Sequence, residues 1–130
     1  MDYMRERQEA IDAGRRALIS LREAKRQLSV AQGLGWWDLF GGGSFVSIAK
    51  HIKINNAKNA LAEARYNLRI FSRELRDLSF EPYIDINEFL VVFDMMDNFF
   101  ADVIVQSRLT EASRNVDETI AWVEDALRRI

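Results

Sequence analysis

The sequence contains no cysteine, and its 130 residues include a single proline, Pro82. Without cysteine, the chain has no disulfides, no thiolate nucleophile and no thiolate metal ligands. Only one of its six glycines, Gly14, lies outside residues 33–44, so residues that break regular structure are rare elsewhere. Such scarcity favours long helices over a β fold with many turns.

The chain also lacks an apolar run long enough to cross a membrane. The longest candidate, residues 89–105, is interrupted by Asp94, Asp97, Asn98 and Asp102, whereas a membrane-spanning helix needs about 18 mostly apolar residues. The first residues, MDYMRER, are charged and lack the apolar core of a signal peptide. We therefore expect a cytoplasmic protein with no transmembrane segment.

Charge of the two signs is unevenly distributed along the chain. Residues 44–79 carry seven basic and three acidic groups, whereas residues 80–130 carry four basic and eleven acidic groups. These two stretches can neutralise each other when the chain folds. Because the basic groups then have acidic neighbours within the molecule, we expect no nucleic acid among the partners.

Apolar residues recur every seven positions along most of the chain. Such a repeat keeps one column of side chains, here called a seam, facing a partner helix. The pattern predicts an all-α fold, an elongated antiparallel coiled-coil-like bundle in one domain, 1–130. Its three long helices cover about 3–32, 44–79 and 87–130, and the third is either continuous or broken into two near residues 106–108.

The three seams are made of similar residues. The first is interrupted by Gly14 and Lys25 and is flanked by small alanines, and the other two are more regular. The first seam consists of Ile11, Leu18, Leu21 and Leu28 with Ala10, Ala17, Ala24 and Ala31. The second consists of Ile54, Leu61, Leu68 and Leu75 with Ala57, Ala64, Phe71 and Leu78. The third consists of Leu109, Val116, Val123 and Ile130 with Ile120 and Leu127.

Residues 33–44, GLGWWDLFGGGS, separate the first two predicted helices and form a tip rich in glycine and aromatic residues. Glycines end helices and permit unusual turns, while tryptophan and phenylalanine carry large apolar surfaces. The tip either folds back over the end of the bundle or forms an exposed patch that docks a partner or a membrane surface. Its candidate interaction residues are Trp36, Trp37, Asp38, Leu39 and Phe40.

An acidic stripe runs along the start of the third predicted helix. Asp94, Asn98 and Asp102 are spaced four apart and therefore share one helix face, with Asp97 beside them. Many of their neighbours are apolar, and buried carboxylates are costly unless they are paired, protonated or bound to metal. A metal or polar-ligand site at Asp94, Asp97 and Asp102 and a solvated face are both alternatives to ion pairing.

Pairing partners for this stripe are present on the second predicted helix. Arg65, Arg69 and Arg73 have the same four-residue spacing. In an antiparallel pair of helices folded about Pro82, Arg65 would face Asp102 and Arg73 would face Asp94. The sequence therefore predicts a structural ion-pair layer as the main role of these residues.

No cofactor and no catalytic set can be recognised from spacing. His51 is the only histidine, and no Ser-His-Asp arrangement accompanies it. Gly41, Gly42 and Gly43 precede a predicted helix, but the lysine and hydroxyl pattern of a phosphate-binding loop is missing.

Two stretches of the chain resemble an uncharacterised family of bacterial helical proteins. The first comprises Trp37-Asp38, the three glycines 41–43, Ala49-Lys50-His51, Ile54 and Ala57, and the second comprises 99–102 and 105–108. The resemblance implies a bacterial helical protein with no known activity.

These observations together predict a non-enzymatic helical interaction or scaffold protein that acts through its seams and its aromatic tip. A protein partner or self-association is expected, because apolar seams suit helix–helix association. One alternative is a bundle that binds a small ligand or metal at the acidic stripe. Another is a peripheral membrane protein attached through the tip.

Overall fold

The computed structural model of the chain describes residues 3–39, 44–78 and 106–130. Three helices occupy them: α1 (Tyr3–Leu39), α2 (Ser44–Asp77) and α3 (Gln106–Arg129). These described residues contain no strand, which confirms the all-α prediction for them. None of the three helices is both long and apolar enough to cross a membrane.

Helix α1 continues to Leu39, beyond the predicted end at residue 32. Gly33 and Gly35, expected to lie in a turn, are therefore helical. An isolated glycine costs a helix about 1 kcal/mol relative to alanine, which weakens a helix without ending it. The longer glycine run, 41–43, lies between α1 and α2.

Helix α2 begins at Ser44, where the sequence predicts it, and ends two residues before the predicted boundary. The Leu78 backbone N–H donates to the Glu74 and Leu75 carbonyls at 3.3 and 3.2 Å, closing the last turn. Of the predicted helix 87–130, the described part is α3, Gln106–Arg129. Whether that stretch forms one helix or two is a question about residues outside those described.

Helix α1 packs against both α2 and α3. Its contacts with α2 join Ser20 to Asn67, whose side-chain amide donates to the serine Oγ, and Gly14 to Phe71. A later residue of α1 therefore meets an earlier residue of α2. The alanines of α1 at 10, 17, 24 and 31 are fully buried, as expected of small residues at a close helix contact.

Contacts between α1 and α3 run in the same opposed order. Lys25 meets Asp117, and Gly14 lies beside Leu127. At the other end of α1, the Arg7 side chain donates to the Ile130 backbone carbonyl. One continuous helix thus supplies the packing surface for both of its neighbours.

Most of the core consists of predicted seam residues from all three helices, and Ala13, Ala112, Trp122 and Ala126 join them. Leu21, Leu28, Leu61 and Leu68 are fully buried, and Leu75 is 1% exposed. Burying one such side chain contributes about 1.5–3 kcal/mol, so these leucines account for much of the hydrophobic stabilisation of the described core.

The seam of α3 differs in part from the predicted one. Val116 and Val123 are fully buried, but Thr119 and Trp122 are buried where the sequence pattern pointed to Ile120 and Leu127, which are only partly buried. The Thr119 hydroxyl donates to the Asn115 carbonyl one turn earlier at 2.7 Å. Because this bond satisfies its polar atom locally, threonine is tolerated in the core.

Phe71 and Trp122 join α2 to α3 across the core. Their ring centroids are 6.0 Å apart and their planes are inclined at 76°, an edge-to-face arrangement. Such pairs contribute about 0.5–1.5 kcal/mol beyond the area they bury. The two aromatic side chains therefore link α2 directly to α3 within the core.

Gly14 marks the point where all three helices converge. A Cβ atom on this residue would lie 2.6 Å from Leu127 Cδ2 and 2.9 Å from Phe71 Cε1. The sequence pattern treats Gly14 as an interruption of the first seam. In the structure, the missing side chain is what admits Phe71 and Leu127 to the same place.

Candidate functional site

The predicted tip residues fall at the end of α1. Trp36, Trp37, Asp38 and Leu39 belong to the helix, and Phe40 lies outside the described residues. The helix thus carries the two tryptophans on a regular backbone and not on the flexible loop expected from the glycines. His51 lies on α2.

The arginines of the predicted ion-pair layer lie on successive turns of α2. Arg65 is half-buried, and Arg69 and Arg73 are exposed. Asp94, Asp97 and Asp102, the acidic residues of the proposed layer or metal site, lie outside the described residues. The Arg65–Asp102 and Arg73–Asp94 pairs therefore remain predictions.

A different acidic group is formed where the start of α1 meets the end of α2. Carboxylate oxygens of Glu6 and Glu9 on α1 and of Glu74 on α2 lie within 4.8 Å of one another. These three residues are here called the carboxyl cluster. Glu6 and Glu74 are half-buried and Glu9 is exposed, so the cluster sits at the edge of the helix interface.

Glu74 is the least well satisfied member of the carboxyl cluster. Its Oε2 atom is buried and has no hydrogen-bond partner among the described residues. Burial raises the pKa of the Glu74 carboxyl above its usual value, and the negative charges of Glu9, Asp77 and Glu6 raise it further. Arg73 opposes them and lowers it. Like charges and desolvation both favour the neutral acid.

The other side of the cluster is partly neutralised. The Arg5 Nε atom donates to Glu9 Oε1 at 3.2 Å, one helical turn away. Three carboxylates, one of them already engaged by a guanidinium, fall short of the six or more oxygen ligands that calcium prefers. We therefore assign no metal to this cluster.

Ion pairs connect α1 to α3. Lys25 Nζ lies 2.6 Å from Asp117 Oδ1, and Arg22 Nη2 lies 3.7 Å from Glu124 Oε1. All four side chains are about half-exposed, and pairs of this kind contribute up to about 1 kcal/mol each. Lys25, which interrupts the first seam in the sequence, thus lies at the rim and faces α3.

Large apolar side chains are exposed on the outer faces of α1 and α2. Ile19 is 67% exposed and Tyr66 is 65% exposed. Each is next in sequence to one member of the Ser20–Asn67 hydrogen bond between the two helices. The helix pair that forms much of the core therefore also carries exposed apolar side chains.

The carboxyl cluster could not be found from the sequence. Locating Glu74 beside Glu6 and Glu9 requires the register of α1 against α2, and heptad columns allow several registers that differ by whole repeats. The exposure of Ile19 and Tyr66 agrees with the heptad pattern, because neither residue belongs to a predicted seam.

No known protein family, curated protein or solved structure matches this chain.

Proposed function

We propose that the protein is a helical interaction or scaffold protein without catalytic activity of its own. In this proposal the helices form an elongated antiparallel coiled-coil-like bundle, and the bundle associates with a protein partner or a second copy of itself. A cytoplasmic location and a bacterial origin, which the sequence suggested, belong to the same proposal.

The observation that carries the proposal is where the apolar side chains lie. Leu21, Leu61 and Val116 are fully buried within one chain, so the seams are used to build the core. Ile19 and Tyr66 remain exposed on the outside. A partner would therefore bind to outer faces of the bundle, where apolar area is surrounded by charged residues.

The proposal places a second interaction surface at the end of α1. Trp36 and Trp37 occupy adjacent positions on a regular helix, and tryptophan is enriched among the residues that dominate binding energy at interfaces. The interaction residues of the proposal are therefore Trp36, Trp37, Asp38, Leu39 and Phe40, together with Ile19 and Tyr66.

Sedimentation equilibrium over a wide range of protein concentrations tests self-association. We expect the wild-type protein to associate and the Trp36→Ser/Trp37→Ser variant to associate more weakly. Tyr3→Ser is the matched control, since Tyr3 is an exposed aromatic residue, 63% exposed, at the opposite end of α1.

The same variants test a partner other than a second copy. The wild-type protein and each variant are immobilised and incubated with cell extract, and the retained proteins are identified. Each retained protein is then purified, and its binding to the purified wild-type protein is measured. A strict monomer that retains no partner would contradict the proposal. Equal binding by wild type and the double tryptophan variant would remove the end of α1 from it.

A further inference from the structure

The carboxyl cluster places three acidic side chains where two helices must be held together. Glu6 and Glu9 belong to the first two turns of α1, and Glu74 belongs to the last turn of α2. One carboxylate oxygen from each residue lies within 4.8 Å of the other two. With all three ionised, negative charges would oppose each other across the helix interface.

The buried oxygen of Glu74 adds a second reason why full ionisation is unfavourable. Within the described part of the chain, Oε2 has no hydrogen-bond partner, and a desolvated carboxylate oxygen without a donor is costly. A proton on Glu74 would relieve both problems. It would remove one negative charge, and it would let Glu74 donate a hydrogen bond to a neighbouring carboxylate.

We propose that Glu6, Glu9 and Glu74 form a pH-sensitive latch between the start of α1 and the end of α2. The latch is closed when one proton is held at Glu74, between α2 and the two glutamates of α1. When that proton leaves, the three charges repel each other and the two helix ends separate more readily.

Charged groups around the latch add to its negative charge or offset it. On α2, Asp77 adds negative charge and Arg73 offsets part of it. On α1, Arg5 pairs with Glu9, which leaves Glu6 and Glu74 as the less compensated members. Arg7, also on α1, donates to the Ile130 carbonyl at the end of α3, so this cation serves the other interface.

The sign of the effect on stability follows from linkage. Because the pKa of Glu74 is raised in the folded state, its contribution to stability is complete below its unfolded pKa of about 4.3. It is lost as the pH rises through the folded value. The latch therefore closes toward acidic pH and opens toward neutral pH.

Carboxyl ¹³C NMR titration of the intact protein tests the protonation step. From about pH 2 to pH 8, the Glu74 carboxyl should titrate above the usual glutamate value of about 4.3. Glu23 serves as an internal reference, because hydrogen bonds from Arg26 and Gln27 lower its pKa to about 2. A Glu74 midpoint at or below the usual value would overturn the proposal.

Amide hydrogen exchange tests the opening step. After correction for the intrinsic pH dependence of exchange, protection of residues 5–12 and 70–78 should fall as the pH rises. In Glu74→Gln, which keeps the shape of the protonated acid, that pH dependence should disappear. Protection that is independent of pH in the wild-type protein would contradict the latch.

Glu63→Gln is the matched control, since Glu63 is an exposed glutamate of the same helix outside the cluster. It should keep the pH dependence of the wild-type protein. The reverse pattern, in which Glu63→Gln abolishes the dependence and Glu74→Gln retains it, would show that the effect belongs to general charge and not to the latch. Neither variant alters the end of α1, so failure of the latch leaves the proposed interaction function standing.

Discussion

Gly14 and Leu127 approach so closely that a methyl group on Gly14 would lie 2.6 Å from Leu127 Cδ2. Phe71 crowds the same position from α2, its Cε1 atom 2.9 Å from where that methyl would be. A single missing side chain on α1 thus allows both of its neighbours to pack at one level. Glycine is usually a cost within a helix, and here the contact with Phe71 and Leu127 offsets that cost.

Gly14→Ala should therefore destabilise the protein. Alanine gains about 1 kcal/mol of helix propensity, whereas inserting a methyl group into a packed core costs about 1–3 kcal/mol. The Leu127 side chain can shift, but the Phe71 ring is rigid, so we expect a net loss of about 1 kcal/mol. Urea unfolding monitored by circular dichroism measures it.

The matched control for Gly14 is the double variant Gly14→Ala/Leu127→Ala. Removing the Leu127 methyl groups makes room for the new side chain, so the two changes should cost less together than the sum of their separate costs. Strict additivity, or a stabilising Gly14→Ala, would show that the close approach does not constrain α1.

Phe71→Ala should be among the most destabilising single changes in the described core. The side chain is fully buried and meets the Trp122 ring edge-to-face at 6.0 Å. Removing a buried phenylalanine costs about 3–5 kcal/mol, since a cavity replaces it. Thermal and urea unfolding would measure the loss, with Tyr66→Ala as a neighbouring exposed aromatic control on α2. A loss below about 1 kcal/mol would contradict this packing.

The Lys25–Asp117 pair should contribute little and should depend on salt. Its atoms are 2.6 Å apart, but the side chains are 47% and 48% exposed. We expect a double-mutant cycle with Lys25→Met and Asp117→Asn to give a coupling of about 0.5 kcal/mol at low salt. In about 1 M sodium chloride the coupling should approach zero. A coupling above about 2 kcal/mol that ignores salt would mean that the pair is far less hydrated than its exposure indicates.

The helical class and most of the core follow from local patterns in the sequence. Breakers are scarce, and apolar residues recur every seven positions, so the spacing alone assigns Leu21, Leu61, Leu68 and Val116 to helix interfaces, and all four are buried. Such assignments succeed because helix periodicity follows from the 3.6-residue turn of one chain segment.

Other features depend on how the helices meet and emerge only in the folded chain. In α3, Thr119 and Trp122 are more buried than Ile120 and Leu127. The seven-residue spacing alone could not predict this, because neighbouring columns on a helix surface follow the same repeat. Gly33 and Gly35 predicted an end to α1 near residue 32, and the helix continues to Leu39. Helix propensity is a weak preference that tertiary context overrides.

The role of Gly14 and the carboxyl cluster are also products of tertiary packing. Each joins residues that are far apart in the chain, Gly14 with Phe71 and Leu127, and Glu6 and Glu9 with Glu74. A heptad repeat indicates which face of a helix is buried but leaves the register of one helix along another open, because displacement by a full repeat preserves the apolar pattern. Side-chain shape and charge at particular levels fix that register, and they act only once the helices are in contact.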